Sequence, residues 1–149
     1  MIKSLYIVVI GCGRLGSILA GDLSQQGHQV VVIDRDKSAF TRLGDEFSGF
    51  TVAGNVAEIE TLQKANLNKA RVAIALTGND NLNIMMSQLA KTTFDIPIVL
   101  TRIQESARAE IYRQLGLTII NTTQVSATAC LQTLHQQLIV SCLLVNNNQ

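Results

Sequence analysis

Gly11, Cys12, Gly13, Arg14, Leu15 and Gly16 form the spacing GxGxxG, whose chemistry is that of the backbone. The first glycine permits a tight turn, the second lets N–H groups approach a phosphate with no Cβ in the way, and the third lets a helix pack closely on the preceding strand. A helix opening here presents unpaired donors and a partial positive charge to a di- or triphosphate. Asp34 stands at the end of the next apolar run, VVVID. An acid at that place accepts from both ribose hydroxyls, and its charge disfavours a 2′-phosphate, so NAD or an ADP-like ligand is favoured over NADP. Arg35 beside it weakens that exclusion. The Arg14 guanidinium is positioned to reach phosphates, whereas Cys12 reads as a buried packing residue.

Further candidates follow the later strands, because ligands of open α/β sheets lie at the carboxyl ends. These are Gly54-Asn55 with Val56, the run Thr77-Gly78-Asn79-Asp80, and Arg102. Asn55 and Thr77 are expected to edge the adenine and ribose pockets. Asp80 reads equally well as a ligand contact or as the N-cap of the next helix. The three cysteines, Cys12, Cys130 and Cys142, include no CxxC pair, and His28 and His135 are far apart, so no metal site is expected.

The elements that must carry these residues alternate. Apolar, β-branched runs recur at Leu5 to Ile10, Gln29 to Ile33, Phe50 to Val52, Arg71 to Leu76, Ile98 to Thr101 and Leu117 to Ile120. Helical spacing separates them, as in Leu15, Ile18, Leu19 and Leu23, or Ile59, Leu62 and Leu67, or Ile84, Met85, Gln88 and Leu89. Strands that are continuously apolar are those covered on both faces. The expected fold is therefore a Rossmann-like, doubly wound parallel six-stranded sheet in the order 3-2-1-4-5-6. Thr122 to Val145 reads as one long helix with Leu131, Leu134, Leu138 and Cys142 on a stripe. With no strand after it to cover, its apolar tail is read as a dimer contact rather than as the last helix packed on the sheet.

At 149 residues the chain matches one compact domain, read as 1–145 with 146–149 a disordered tail. A net charge of +1 gives no field that would concentrate the protein on nucleic acid or an anionic membrane. Hydrophobic residues make up 47% and charged residues 15%, an apolar-rich balance that fits either a full core or a partner-facing surface. The run Leu5 to Ile10 is too short for a signal-peptide core, and no run approaches the ~20 apolar residues of a membrane span. A cytoplasmic protein with reduced thiols is expected.

Taken as a set, GCGRLG, VVVID with Arg35-Asp36, the AGN of Ala53 to Asn55, the ALTGNDNLN of Ala75 to Asn83, and Thr101-Arg102 resemble the RCK N-terminal family, also called TrkA-N or KTN, from about Lys3 to Thr122. Ordinary dehydrogenase domains share the first two features but not the pattern of Thr77, Asp80 and Asn83. The resemblance implies a cytosolic regulatory subunit, peripheral to the membrane through a partner, that binds NAD(H), ATP, ADP or AMP and gates a potassium channel or transporter. By the same resemblance, Gly11, Gly13, Arg14 and Gly16 match the phosphate loop, Asp34 the ribose acid, and Asn55 with Val56 the adenine edge. Thr77, Asp80 and Arg102 match positions lining the nucleotide cleft or the dimer face, and members pair as dimers or higher rings through the late crossover region. Two departures stand out. Asn55 replaces the family's usual Asp, removing a negative charge beside the ligand, and the chain is expected to lack the C-terminal lobe of longer members.

Two other functions fit parts of the sequence. One is the cofactor half of an NAD-dependent oxidoreductase, disfavoured because hydride transfer needs a substrate-holding element and a positioned acid or base. The other is a structural dimer module with a vestigial nucleotide site, which intact glycines and Asp34 argue against.

Overall fold

The computed structural model describes the backbone of residues 3–146 and the side chains of residues 3–140. Six strands, β1 (Tyr6–Ile10), β2 (Gln29–Asp34), β3 (Phe50–Ala53), β4 (Val72–Ala75), β5 (Ile98–Arg102) and β6 (Thr118–Ile120), form one sheet. The spatial order is β3-β2-β1-β4-β5-β6, as the apolar runs imply. All pairings are parallel, with Ile10 in register with Ile33 on one side and Ala75 on the other.

The continuous apolar runs are explained by burial on both faces. Val8, Ile10, Val31 and Ile33 enter one core with Val56, Leu62 and Met86. Ile7, Val9, Val30 and Val32 enter a second core with Cys12, Ala20 and Ala39. Each fully buried aliphatic side chain contributes about 1.5–3 kcal/mol, so the centre of the sheet is the stiffest part of the scaffold. The carboxyl ends of β1, β2 and β4 are thereby fixed relative to one another.

Helices α1 (Arg14–Gln25), α2 (Ile59–Lys64), α3 (Asp80–Thr92) and α4 (Ser106–Gln114) link the strands, and a 3-10 segment spans Lys37–Arg42. The expected stripes largely face the cores, with Leu15, Leu19 and Leu23 packed against the second core, Leu62, Leu67 and Ile84 buried and Leu89 packed on the first, but three apolar members turn outward. In α1 the buried residues are Gly16, Ser17, Ala20 and Ser24, while Ile18 is exposed. In α3 they are Asn83, Ile84, Met86, Ser87 and Ala90, while Met85 is exposed, as is Ile59 at the start of α2. In α1 the close approach to the sheet selects small residues at the contact, with Leu15, Leu19 and Leu23 at its margin.

The last helix, α5 (Thr122–Asn146), includes Asn146, a residue expected from sequence in the tail; residues 147–149 lie outside the described residues. Every residue from Thr123 to Val140 is exposed. This helix therefore stands away from the domain instead of covering the sheet. The expected stripe includes Leu131, Leu134 and Leu138, each more than half exposed; the Cys142 side chain lies outside the described residues. Among the described residues, no helix is long and apolar enough to cross a membrane.

Candidate functional site

The site grows from the turn after β1. Gly11 adopts φ +104°, a conformation that favours glycine. A Cβ on Gly16 would lie 2.0 Å from the Gly11 carbonyl oxygen, so the first turn of α1 sits directly against the turn that precedes it. Gly13 is the N-cap of α1 with an extended backbone, and no side chain caps that helix end. Beyond its own neighbours in the chain, nothing lies within 4 Å of where a Gly13 Cβ would stand. The first N–H groups of a helix have no partner within it, and here they are free to serve an anion.

Asp34 ends β2 beside this turn. Its Oδ2 accepts from the Cys12 backbone N–H at 2.8 Å, and its Oδ1 accepts from the Asp36 N–H at 2.9 Å. The Cys12 side chain is buried, with its Sγ 3.4 Å from the Ala39 carbonyl oxygen. Burial, reinforced by the Asp34 charge and opposed by Arg42, pushes the Cys12 thiol above its ordinary range. Its role is packing, and the thiol is held protonated.

A groove of about 370 Å³ opens at the carboxyl ends of β1, β2 and β4. Gly11, Asp34, Arg35, Gly54, Asn55, Val56, Thr77, Gly78 and Asn79, all expected from sequence, line it together with Ile10, Ile33 and Leu82. The apolar floor of Ile10, Ile33 and Leu82 was not named from sequence. Its signal is positional, since the last residues of two adjacent parallel strands border the crevice above them.

The rims are held by side chain to backbone bonds. Asn55 accepts from the Ala57 N–H at 3.1 Å in a local turn, and Val56 is buried in the first core while also facing the groove. Across the groove, Asn79 caps α3 by accepting from the Leu82 N–H. Asp80 is thus not the cap. As the first residue of α3, it accepts instead from the N–H groups of Gln104 and Glu105 at 3.1 to 3.2 Å. Asn83, wholly buried, accepts from the Thr77 N–H and hydroxyl at 2.9 and 2.7 Å. Its amide donates to the carbonyls of Thr77 and Arg102.

Arg14, Leu15 and Arg102 lie elsewhere. With Gly13, they line a second depression of about 450 Å³ on the far side of the glycine turn, closed by Ile120 and Val125 near the root of α5. The glycine turn contributes to both spaces, Gly11 to the first and Gly13 to the second. Among the described residues, ion pairs join only Arg108 to Glu105 and Arg113 to Glu110, so neither Arg14 nor Arg35 is neutralised by a carboxylate. The groove thus offers a carboxylate, an apolar floor and backbone donors at one end, with a guanidinium past the turn. That combination suits a ligand with a sugar, a flat apolar ring and phosphates.

His28 and His135 join none of this. His28 precedes β2, at the amino end of the sheet, and its Nδ1 accepts from the Leu5 N–H; His135 lies on the exposed α5.

Comparison with known proteins places this geometry. The TrkA-N domain family model matches residues 7–123. The chain is 41% identical over 130 residues to the Trk system potassium uptake protein TrkA of Streptomyces coelicolor, a match covering 87% of the chain and 58% of that protein. It is 29% identical over 130 residues to the TrkA homolog of Methanothermobacter thermautotrophicus, covering 87% and 60%. The chain therefore spans about 58 to 60% of the length of these curated relatives.

Among solved structures, the GsuK channel bound to NAD is similar with a TM-score of 0.78 at 20% identity, over 91% of the chain and 24% of that structure. The AMP-bound form of the Shewanella denitrificans Kef CTD is similar with a TM-score of 0.75 at 20% identity, over 89% and 81%. At these identities the likeness is one of fold. With its six-stranded parallel sheet, its glycine turn answered by Asp34, and a family match over most of its length, the chain belongs to the TrkA-N domain family.

Proposed function

We propose that this chain is an adenine-nucleotide-binding regulatory domain that gates a potassium channel or transporter and works at the cytoplasmic face of the membrane through that partner. The observation that carries the reading is the placement of Asp34 beside the glycine turn, at the mouth of a groove with an apolar floor. Asp34 takes the ribose hydroxyls, and Val56, Ile33 and Leu82 offer apolar contact to the adenine. The open N–H groups at Gly13 and the start of α1 take the phosphates, with Arg14 reaching those that extend past the turn. NAD(H), ATP, ADP and AMP share the adenosine this groove would recognise. The names of the relatives supply the transport context, and an NAD-bound and an AMP-bound structure share the fold.

A binding role is favoured over catalysis because the groove brings no acid-base pair to a reacting centre, and His28 is engaged at the opposite end of the sheet. Nucleotide occupancy would then favour one arrangement of a dimer or larger ring, acting only through its differential affinity for the two arrangements.

Thermal unfolding with NAD+, NADH, ATP, ADP, AMP and NADPH tests the reading. A ligand present at ~100 times its dissociation constant adds ~2.7 kcal/mol of stability. Selective stabilisation that is lost in Asp34→Ala is the expected result. No shift with any of the six leaves a vestigial site and ends the proposal.

A further inference from the structure

We infer that the first turn of α3 couples the groove to the root of α5, with Asp80 and Asn83 acting as positioning residues. The inference rests on the nucleotide reading above and assigns the regulation of that same site.

Two chains of hydrogen bonds run from the groove rim to α5. In the first, Asn83 uses its full amide capacity: its oxygen accepts from the Thr77 N–H and hydroxyl, and its nitrogen donates to the carbonyls of Thr77 and Arg102. Arg102 then donates from Nε to the hydroxyl of Thr122, the first residue of α5, at 3.2 Å. In the second, Asp80 holds the N–H groups of Gln104 and Glu105. The Gln104 carbonyl accepts from the Asn121 amide at 3.3 Å, and the same amide donates to the Ser106 hydroxyl at 3.1 Å. Asn121 caps α5 by accepting from the Gln124 N–H at 2.9 Å.

The burial pattern gives these chains their consequence. Asn83 is wholly buried with every valence engaged, so a shift of the Thr77 rim either carries the Arg102 carbonyl with it or breaks a buried bond. Beyond its root, α5 is exposed from Thr123 to Val140, so the domain holds it at its first turn, through the Asn121 and Thr122 side chains and the contact face of Val125 and Ser126. A helix of 25 residues is about 37 Å long, and a rotation of about 10° at its root moves the far end by about 6 Å. Closure of the Thr77 rim on a nucleotide is thereby read out at the end of α5. The coupling requires an element with two arrangements that both sites bias, and the root of α5 is that element.

Hydrogen exchange of the full chain with and without AMP tests this, alongside calorimetry of AMP binding. In the wild-type protein, AMP is expected to slow amide exchange in residues 122–131 by about tenfold, within the usual range of coupling between two sites. The double variant Asn121→Ser, Thr122→Val keeps a capping oxygen but removes the amide donor and the Arg102 acceptor. It is expected to bind AMP within about threefold of wild type while its AMP-dependent change in residues 122–131 falls below about twofold. Thr122→Ser, which keeps the hydroxyl, is expected to behave as wild type. A merely structural role would lower the unfolding temperature of the double variant and leave the AMP-dependent ratio intact, and that result overturns the coupling. So does AMP binding to wild type with no change in α5. If calorimetry detects no AMP binding to the wild-type chain, the nucleotide reading fails first and the coupling with it.

Discussion

The carboxylate of Asp34 accepts a 2.8 Å hydrogen bond from the backbone N–H of Cys12, so the acid at the end of β2 fastens the glycine turn that follows β1. One side chain thus shapes the glycine turn and faces the groove. Asp34→Asn separates the two duties, because an amide oxygen still accepts from Cys12 while the charge, and with it the bond from the exposed Asp36 N–H, is gone. The variant is expected to lose about 1 kcal/mol of stability, the usual worth of charge assistance in such a bond. NADPH should gain relative to NADH, because the repulsion toward a 2′-phosphate is removed. Paired thermal titrations with the two dinucleotides measure the change; an unchanged ratio would place the ribose elsewhere.

The glycines of the turn make opposite predictions. A Cβ at Gly16 meets backbone at 2.0 Å, and backbone cannot rotate away as a side chain can. Gly16→Ala is expected to destabilise by about 3 kcal/mol, at the upper end for overpacking. Gly13 has φ −76° and open space around the Cβ position. Gly13→Ala should therefore keep or slightly raise the unfolding temperature of the free protein, while its methyl group obstructs the N–H groups and abolishes nucleotide-dependent stabilisation. Denaturation with and without AMP distinguishes them. A Gly13→Ala variant that is both stable and fully responsive would remove the turn from the binding site.

The sheet was legible because its central strands are covered on both faces, so Val8, Val9, Val31 and Val32 appear as uninterrupted apolar runs whose alternate residues enter different cores. The glycine turn and its contact with Asp34 were legible because both are tied to backbone geometry at fixed places in the fold. The role of Asn83 was not. A pattern reading assigns polar residues to solvent, whereas Asn83 and Ser87 are buried by hydrogen bonds to partners remote in sequence, Arg102 and Thr101. Distance across the turn was equally hidden: Arg14 and Arg102 match site positions in sequence, yet they face the second depression. Asp80 resembles a helix cap, and only the path of the chain after β5 shows that it holds Gln104 and Glu105.

Cys12 makes stability depend on alkaline pH. Burial first, and the Asp34 charge second, raise its thiol above the ordinary 9.0, so the folded state keeps the proton that the unfolded chain releases. The favourable contribution is whole below pH 9 and is lost as pH rises from there through the folded value. The unfolding temperature is expected to fall above pH 9, and Cys12→Ala should flatten that fall. Tyr6, raised from 10.0 by burial against the opposing Asn66 hydrogen bond, adds its own loss at higher pH, so the comparison belongs between pH 9 and 10. Peptide mapping after iodoacetamide treatment at pH 8 provides a second check: exposed Cys130 is modified in the folded protein, and Cys12 only on unfolding. Equal labelling of the two would show that the turn opens readily.

Helix α5 sets the last expectation. Leu131, Leu134 and Leu138 share one stripe, with Ile139 and Val140 beside it, and all five are more than half exposed. A monomer would leave this face in water along most of a 25-residue helix, an arrangement that marks an interaction surface in a soluble protein. Pairing with the same helix of a second copy covers the stripe through a self-complementary contact. Sedimentation equilibrium is expected to show a dimer or larger ring, and the unfolding temperature should rise with protein concentration. Leu134→Glu with Leu138→Glu should yield a folded monomer, because neither residue touches the sheet's cores and the introduced charges oppose close approach. A wild-type chain that stays monomeric at high concentration would refute self-association through α5, and a charged variant that stays dimeric would move the interface to another face.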